Sequence, residues 1–393
     1  MSNLPASILN ALRTVLPNPD TFYPLHEPEF SLETWNLLKE CLDSGWVSSV
    51  GKYVDQFEEQ FCDITGAQYA IATTNGTAAL HLALHLAKVQ RDDEVITPTL
   101  TFVATTNAIS YCGAVPHFVD SDPITLGVCP DKLSDYLNQI AVMRNGICYN
   151  KKTNRNITAL MVVHIFGRPA QIKKLRVLAD KWNLELIEDA AEALGSEESS
   201  VFIGSNSKFA AFSFNGNKII TTGGGGVLAT SDFSVWKRAK HLSTTAKQQH
   251  AWEYSHDEIG FNYRMPNINA AMGCAQLNCL KDFLNRKREL SNHYLSAFQK
   301  VKGIQFIQEA PNTKINYWLN ILQLNKPNLE LRNEILEVTN KSNIMTRPIW
   351  NLMHNLPMYS SSPRMHDLST ASNLFASIIN IPSSPSLISS RLN

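Results

Sequence analysis

The chain has 393 residues, 44% of them apolar, and its 35 basic and 35 acidic side chains cancel to a formal charge of zero. A nucleic-acid binder carries a basic excess against the phosphates, and a disordered chain lacks this share of apolar side chains, so both classes are disfavoured. No apolar run approaches the roughly 18 residues that span a bilayer, and Met1 to Leu12 shows no cationic segment ahead of an apolar core; the expectation is a two-domain protein of the cytoplasm.

Five prolines between Pro5 and Pro28 predict an irregular N-terminal arm over residues 1–30. Ser31 then stands as an N-cap before Leu32, Trp35, Leu38 and Leu42, with Gly45 as the stop; Val54, Phe57, Phe61 and Ile64 repeat the helical spacing up to Gly66. From there short apolar strands near 68–73, 94–97, 115–119, 158–164 and 184–188 alternate with helical patterns near 77–89, 102–112, 131–142 and 170–182. That alternation predicts an α/β domain with a mostly parallel sheet and helices on both faces. Strands near 209–214 and 226–230 and a helix near 232–242 complete a large domain, 31–250. A long helix near 267–299, strands near 316–323 and 344–347, and helices near 328–340 and 371–379 predict a smaller α+β domain, 251–393, with a Pro/Ser-rich tail from Pro382. The polar insert from Arg144 to Asn156, with Lys151, Lys152 and Arg155, reads either as a solvated loop or as a contact for an anionic substrate.

The seven cysteines include no Cys-x-x-Cys pair and read as buried free thiols. His81 and His85 share a helix face, but the intervening Leu-Ala-Leu lacks the acid of a zinc-protease helix, so no metal site is expected.

Ligands of an open parallel sheet collect beyond the carboxyl ends of its strands, and four segments there carry chemistry. Thr73 to Thr77 joins a strand to a helix through Gly76; Thr77 and the first free helical amides, including that of Ala78, suit a phosphate. Phe102 follows the next strand and could stack on a planar ring. Asp189, in Glu188-Asp189-Ala190-Ala191-Glu192, could pair with a protonated ring nitrogen, small neighbours giving a ligand room to approach. Lys218, in Phe212-Ser213-Phe214-Asn215-Gly216-Asn217-Lys218, could condense with a carbonyl. Each segment taken alone also fits a plain turn, cap or core aromatic. Together, a phosphate turn, a stacking ring, an acid and a lysine 29 positions later match the needs of pyridoxal 5′-phosphate.

These segments resemble the DegT/DnrJ/EryC1/StrS sugar aminotransferases, as does Gly260-Phe261-Asn262-Tyr263-Arg264, and the likeness runs in order from about residue 30 to 380. The resemblance implies the fold type I architecture of pyridoxal phosphate-dependent transferases. It implies Lys218 as the catalytic lysine that carries the cofactor, Ser213, Thr77 and Ala78 as phosphate ligands, Phe102 as the stacking ring and Asp189 as the partner of the ring nitrogen. Asn262 matches an asparagine that reaches the neighbouring subunit's cofactor, which implies a homodimer. Glu192 stands where many relatives carry glutamine, near the cofactor phenolate, and Gly224 where many carry glutamate. A lysine at 218 also sets the chain apart from the family's dehydratase branch, which has histidine there.

The reaction so implied moves an amine from glutamate to a nucleotide-linked 4-keto-6-deoxy sugar. The Phe-Asn-Gly-Asn-Lys text and the glycines at 223–226 most resemble enzymes that act on UDP-linked N-acetyl sugars at C4. Amination at C3 of a dTDP-linked sugar, or a regulator on the same fold, are the alternatives. Arg347 and His354, in a segment like the family's sugar-side segment, are expected substrate contacts or interdomain structural residues. The glycine run precedes a strand rather than a helix, which argues against a nicotinamide site.

Overall fold

The computed structural model describes residues 4–388, and its elements follow the expected alternation closely. The helices are α1 (Leu4–Val15), α2 (Leu32–Ser44), α3 (Lys52–Thr65), α4 (Gly76–Leu86), α5 (Val103–Tyr111), α6 (Pro130–Ile140), α7 (Ile172–Lys181), α8 (Phe233–Ser243), α9 (Asn267–Phe298), α10 (Leu329–Lys341) and α11 (Ser369–Ser377). The strands are β1 (Tyr69–Thr73), β2 (Glu94–Pro98), β3 (Val115–Val119), β4 (Ala141–Arg144), β5 (Ile147–Asn150), β6 (Ile157–Val163), β7 (Glu185–Asp189), β8 (Glu197–Glu198), β9 (Val201–Phe202), β10 (Ala210–Ser213), β11 (Gly226–Thr230), β12 (Ile304–Phe306), β13 (Thr313–Lys314), β14 (Asn320–Leu324), β15 (Arg347–Pro348) and β16 (Ile378–Ile381). Ser31 caps α2 through its hydroxyl, and Gly45 and Gly66 end α2 and α3 at φ 73° and 72°, the left-handed conformation that glycine adopts without a Cβ clash.

The central sheet has seven strands in the order β1-β11-β10-β7-β6-β2-β3, and β11 alone runs against the others. Alternate residues leave a strand on opposite faces. Accordingly Ala70, Ala72, Ala210, Phe212, Val227 and Ala229 pack on Phe57 and Phe61 of α3 and on Ala271, Cys274 and Leu277 of α9. Ile71, Ala211, Leu228 and Ile187 face the other way, onto α4, α5 and α8. Each fully buried Phe or Leu in these layers contributes about 1.5–3 kcal/mol relative to exposure. Because six strands run in one direction, Thr73, Pro98, Val163, Asp189 and Ser213 end at the same sheet edge, where the site forms.

Three expectations are corrected here. The N-terminal stretch is irregular only from Leu16 to Ser31: before it, after Pro5 in the first turn, where a missing N–H costs no helical bond, α1 runs amphipathically and buries Ile8 and Leu12 against Leu290, Tyr294 and Phe298 of α9. The second sheet, in the order β12-β14-β16-β15, takes β16 from residues 378–381, whose first two had been assigned to the last helix. The insert from Arg144 to Asn156 contains β5, paired with β4, and its Asn150 and Thr153 donate to Glu94, at the start of β2 and so at the edge away from the strand carboxyl ends. That position removes it as a substrate contact for this chain's own cavity.

All seven cysteines are free, Cys41, Cys148, Cys274 and Cys279 being buried and the other three partly so. Among the described residues no helix is long and apolar enough to cross a membrane.

Candidate active site

A cavity of about 290 Å³ opens at the strand carboxyl ends, lined by the turn before α4, the start of α5, the turn after β7, the segment after β10, and Trp318 and Trp350 from the C-terminal part of the chain. Its phosphate end is built by two close approaches. Gly76 begins α4 so near β10 that a Cβ there would lie 2.8 Å from Ser213 Cβ, while a Cβ on Gly226 would lie 2.5 Å from the backbone of Asn75. Because the second obstacle is main chain, it cannot rotate away. A Gly226→Ala substitution is therefore expected to destabilise the protein by about 1–3 kcal/mol and to loosen cofactor binding, both measurable in one thermal melt with and without pyridoxal 5′-phosphate. Thr77 and Ser213 line this end. The amide of Ala78, however, donates to Asn75 Oδ1 at 2.8 Å as the helix cap, so it is already engaged.

At the other end Asp189, 5% exposed, closes β7. Thr105 Oγ1 donates to its Oδ2 at 2.7 Å and the amide of Ala191 donates to its Oδ1 at 3.1 Å. Burial raises its pKa above the ordinary carboxylate value, against which these two donors, Lys218 and His164 act. Such a carboxylate is one that a cation brought beside it would stabilise strongly. Phe102, half exposed at the start of α5, offers a ring to the cavity between the two ends.

Lys218, whose side chain is 12% exposed, projects into the same space. Its Nζ lies 3.2 Å from Glu192 Oε1 and 4.0 Å from the centroid of the Trp318 ring. The second carboxylate oxygen of Glu192 accepts from the amide of Phe166 at 2.8 Å, and burial raises the Glu192 pKa in spite of Lys218. Trp318 is fixed from two sides: its Nε1 donates to the carbonyl of Asn217 at 2.7 Å, and its amide donates to Asn316 Oδ1 at 2.8 Å. The Asn316 side chain in turn donates to the carbonyls of Glu192 and Leu194. Trp350 packs on Phe166 with ring centroids 5.0 Å apart.

Gly76, Thr77, Phe102, Asp189, Glu192, Ser213 and Lys218 thus share one cavity; Ala78, Asn262, Arg347 and His354 are outside its lining. Asn262 is exposed and accepts from Arg264. Arg347 is exposed on β15 and donates to the carbonyl of Thr346. His354 Nδ1 lies 2.6 Å from Thr99 Oγ1. Sequence reasoning did not find Trp318 or Thr105; nothing in a local pattern marks a tryptophan that arrives beside a lysine 100 residues away.

A family model, the DegT/DnrJ/EryC1/StrS aminotransferase family, matches residues 29–392. The chain belongs to that family. It is 39% identical to the GDP-perosamine synthase of Escherichia coli O157:H7 over 93% of this chain and 94% of that one. It is 36% identical to a Bacillus subtilis (strain 168) protein provisionally named pyridoxal phosphate-dependent aminotransferase EpsN, over 85% of this chain and 83% of that one. The solved structure of Helicobacter pylori PseC, an aminotransferase involved in the biosynthesis of pseudoaminic acid, matches at a TM-score of 0.83 and 22% identity, over 92% of this chain and 94% of that one, a likeness of fold. The protein is accordingly a sugar aminotransferase of this family, dependent on pyridoxal 5′-phosphate. The donor set fits that cofactor: a helix start beside two hydroxyls, a half-exposed ring, a buried carboxylate and an amine all face one cavity.

Proposed function

We propose that the enzyme transfers an amine from glutamate to C4 of a GDP-linked 4-keto-6-deoxyhexose. The observation that carries the chemistry is the meeting of Lys218 and Asp189 in one cavity. The nucleotide rests on the relatives named GDP-perosamine synthases, 39% and 35% identical over 93% of the chain. Perosamine is a 4-amino sugar, so its precursor carries the carbonyl at C4. The UDP-linked N-acetyl sugar expected from the sequence is the alternative substrate, and the likeness to PseC bears on the fold alone.

When bound, the cofactor supplies an aldehyde that takes and gives the amine and a protonated ring that accepts the electron pair left on the substrate carbon. Lys218 would carry it and would take up and return, at its Nζ, the proton that the exchange of the amine requires. Asp189 keeps the proton on the ring nitrogen, its orientation fixed by Thr105 and Ala191. Phe102 supports the ring, and Gly76, Thr77 and Ser213 hold the phosphate, joined by Ala78 if Asn75 releases its amide. Asn262 acts in a homodimer: it is exposed and outside the lining of its own cavity, on a stretch whose Trp252, Tyr254 and Ile259 are 78%, 83% and 87% exposed, apolar surface suited to a second copy. Arg347 and His354 are the residues that would meet the sugar nucleotide.

Mass spectrometry of products from GDP-, UDP- and dTDP-linked keto-sugars with glutamate tests this reading. Mass gain for an amine in place of a carbonyl with the GDP sugar is expected. Turnover of the UDP or dTDP sugar alone would refute the nucleotide assignment, and no turnover of any sugar by cofactor-loaded protein would refute the activity.

A further inference from the structure

Transamination frees the Lys218 amine for part of every cycle, and a free amine on a flexible stem must be kept near the reacting carbon. Two groups converge on Nζ from separate parts of the chain: the Glu192 carboxylate at 3.2 Å, from the turn after β7, and the face of Trp318 at 4.0 Å, from the segment before β14. Both favour an ammonium, one by charge and hydrogen bond and the other by its ring quadrupole. Neither is free to swing away. Glu192 is 6% exposed and tied to the Phe166 amide, while Trp318 is 4% exposed and tied to the carbonyl of Asn217, the residue before Lys218. Asn316 joins the two supports by donating to the Glu192 carbonyl and accepting from the Trp318 amide.

We propose that Glu192 and Trp318 form a resting site for the released Lys218 amine, in which the ammonium is held against the carboxylate and hands one proton to it, or takes one back, as the amine becomes base or acid. The proton balance closes within the pair: Lys218 ammonium with Glu192 carboxylate on one side, neutral amine with carboxylic acid on the other. Burial raises the Glu192 pKa, which brings the second arrangement closer to the first. Glutamine at this position, as the family pattern would have it, could orient the amine but could not hold the proton. The other charged and titratable groups around the pair come from several elements. Asp189, at the end of β7, opposes ionisation of Glu192. His26, from the segment before α2, is kept neutral by burial and by Lys287 of α9 and Lys218. His164, after β6, acts on Asp189 and is hydrogen-bonded to Glu188.

The inference rests on Lys218 as the cofactor-bearing lysine. The test is the rate at which cofactor-free protein captures pyridoxal 5′-phosphate, followed by absorbance for the wild type, Glu192→Gln, Glu192→Asp and Trp318→Leu, near pH 7 and pH 10.5. Only the neutral amine reacts, so Glu192→Gln is expected to speed capture about tenfold near pH 7, the smaller end of what an adjacent opposite charge supplies. Trp318→Leu should speed it a few-fold, Glu192→Asp should stay closer to the wild type, and all four rates should converge near pH 10.5. Equal rates for wild type and Glu192→Gln near pH 7 would overturn the resting site, as would a difference that persists near pH 10.5, which would reflect altered access or repulsion of the anionic cofactor. Borohydride reduction and peptide mapping identify the lysine captured. Capture at a lysine other than 218 would overturn this inference and the catalytic assignment together, whereas capture at Lys218 without the pH-dependent difference would overturn this inference alone.

Discussion

Replacing Lys218 with alanine is expected to lower turnover by about 10⁴-fold or more, because it removes both the attachment point of the cofactor and the group that moves the proton. The substitution should leave the fold intact. Lys218 lies in a turn, its amide donates to the carbonyl of Asn215 at 2.9 Å, and alanine keeps that bond. The protein should still bind pyridoxal 5′-phosphate through the phosphate turn and Asp189, yet borohydride should no longer fix it to the chain. The informative control is Lys218→Arg, which restores the cation between Glu192 and Trp318 but cannot condense with the aldehyde. If either variant turned over at more than about one hundredth of the wild-type rate, the proton-moving group would have to be another residue.

The parts of this site that were legible in the sequence are those in which chemistry follows a strand within a few residues. Asn75 to Ala78, Phe102, Asp189 and Lys218 each stand just past an apolar segment of strand length, and the parallel sheet brings strand ends to one edge whatever the loop lengths between them. The α/β class was legible for the same reason, since alternation of β1, α4, β2, α5 and β3 permits few other arrangements. Even the glycine run that leads into β11 carried information, although the physical cause at its last member, the backbone of Asn75 pressed against Gly226, needs three dimensions.

What escaped depends on contacts between distant segments. The prolines near the N-terminus suggested an arm without structure, but α1 is held by tertiary burial against α9 rather than by its own propensity. The last two residues of the last expected helix fall in β16 because β14 and β15 offer that segment partners on both sides, a gain invisible to local periodicity. Trp318 reads as one more apolar residue of a strand. Its position over Lys218 is set by Asn316, whose side chain donates to the Glu192 carbonyl and accepts from the Trp318 amide, across a left-handed Tyr317 at φ 49°. Asn262 shows the converse limit: the family pattern names it, and within a single chain it meets no cavity residue of the site.

Replacing Asp189 with asparagine is expected to cut turnover at least a hundredfold, the scale of losing one preorganised electrostatic partner, while making the cofactor-free protein more stable at neutral pH. The two effects have one cause. Burial raises the folded-state pKa of Asp189 above its unfolded value, so the folded protein binds the proton more tightly than the unfolded one. The sign follows directly: the stabilisation from this group is fully present below the unfolded carboxylate pKa, near 4, and is lost as pH rises through the folded value, each unit of upward shift corresponding to about 1.4 kcal/mol. Near pH 7 this acid therefore costs the cofactor-free fold stability relative to low pH, and a cationic ring nitrogen is what makes its placement favourable. Asparagine is nearly the same size and uncharged at every pH. Its Oδ1 can keep the Ala191 amide, and its Nδ2 can donate to Thr105 Oγ1, whose own hydroxyl proton can turn to Thr101 Oγ1, 2.8 Å away. Thermal melts of cofactor-free wild type and Asp189→Asn should thus favour the variant near pH 7 and converge as pH falls toward 4, whereas saturating pyridoxal 5′-phosphate should raise the wild-type midpoint more. If the variant melted lower than the wild type at every pH without cofactor, the carboxylate would be a structural element of the edge of the sheet rather than a charge placed there for the ring.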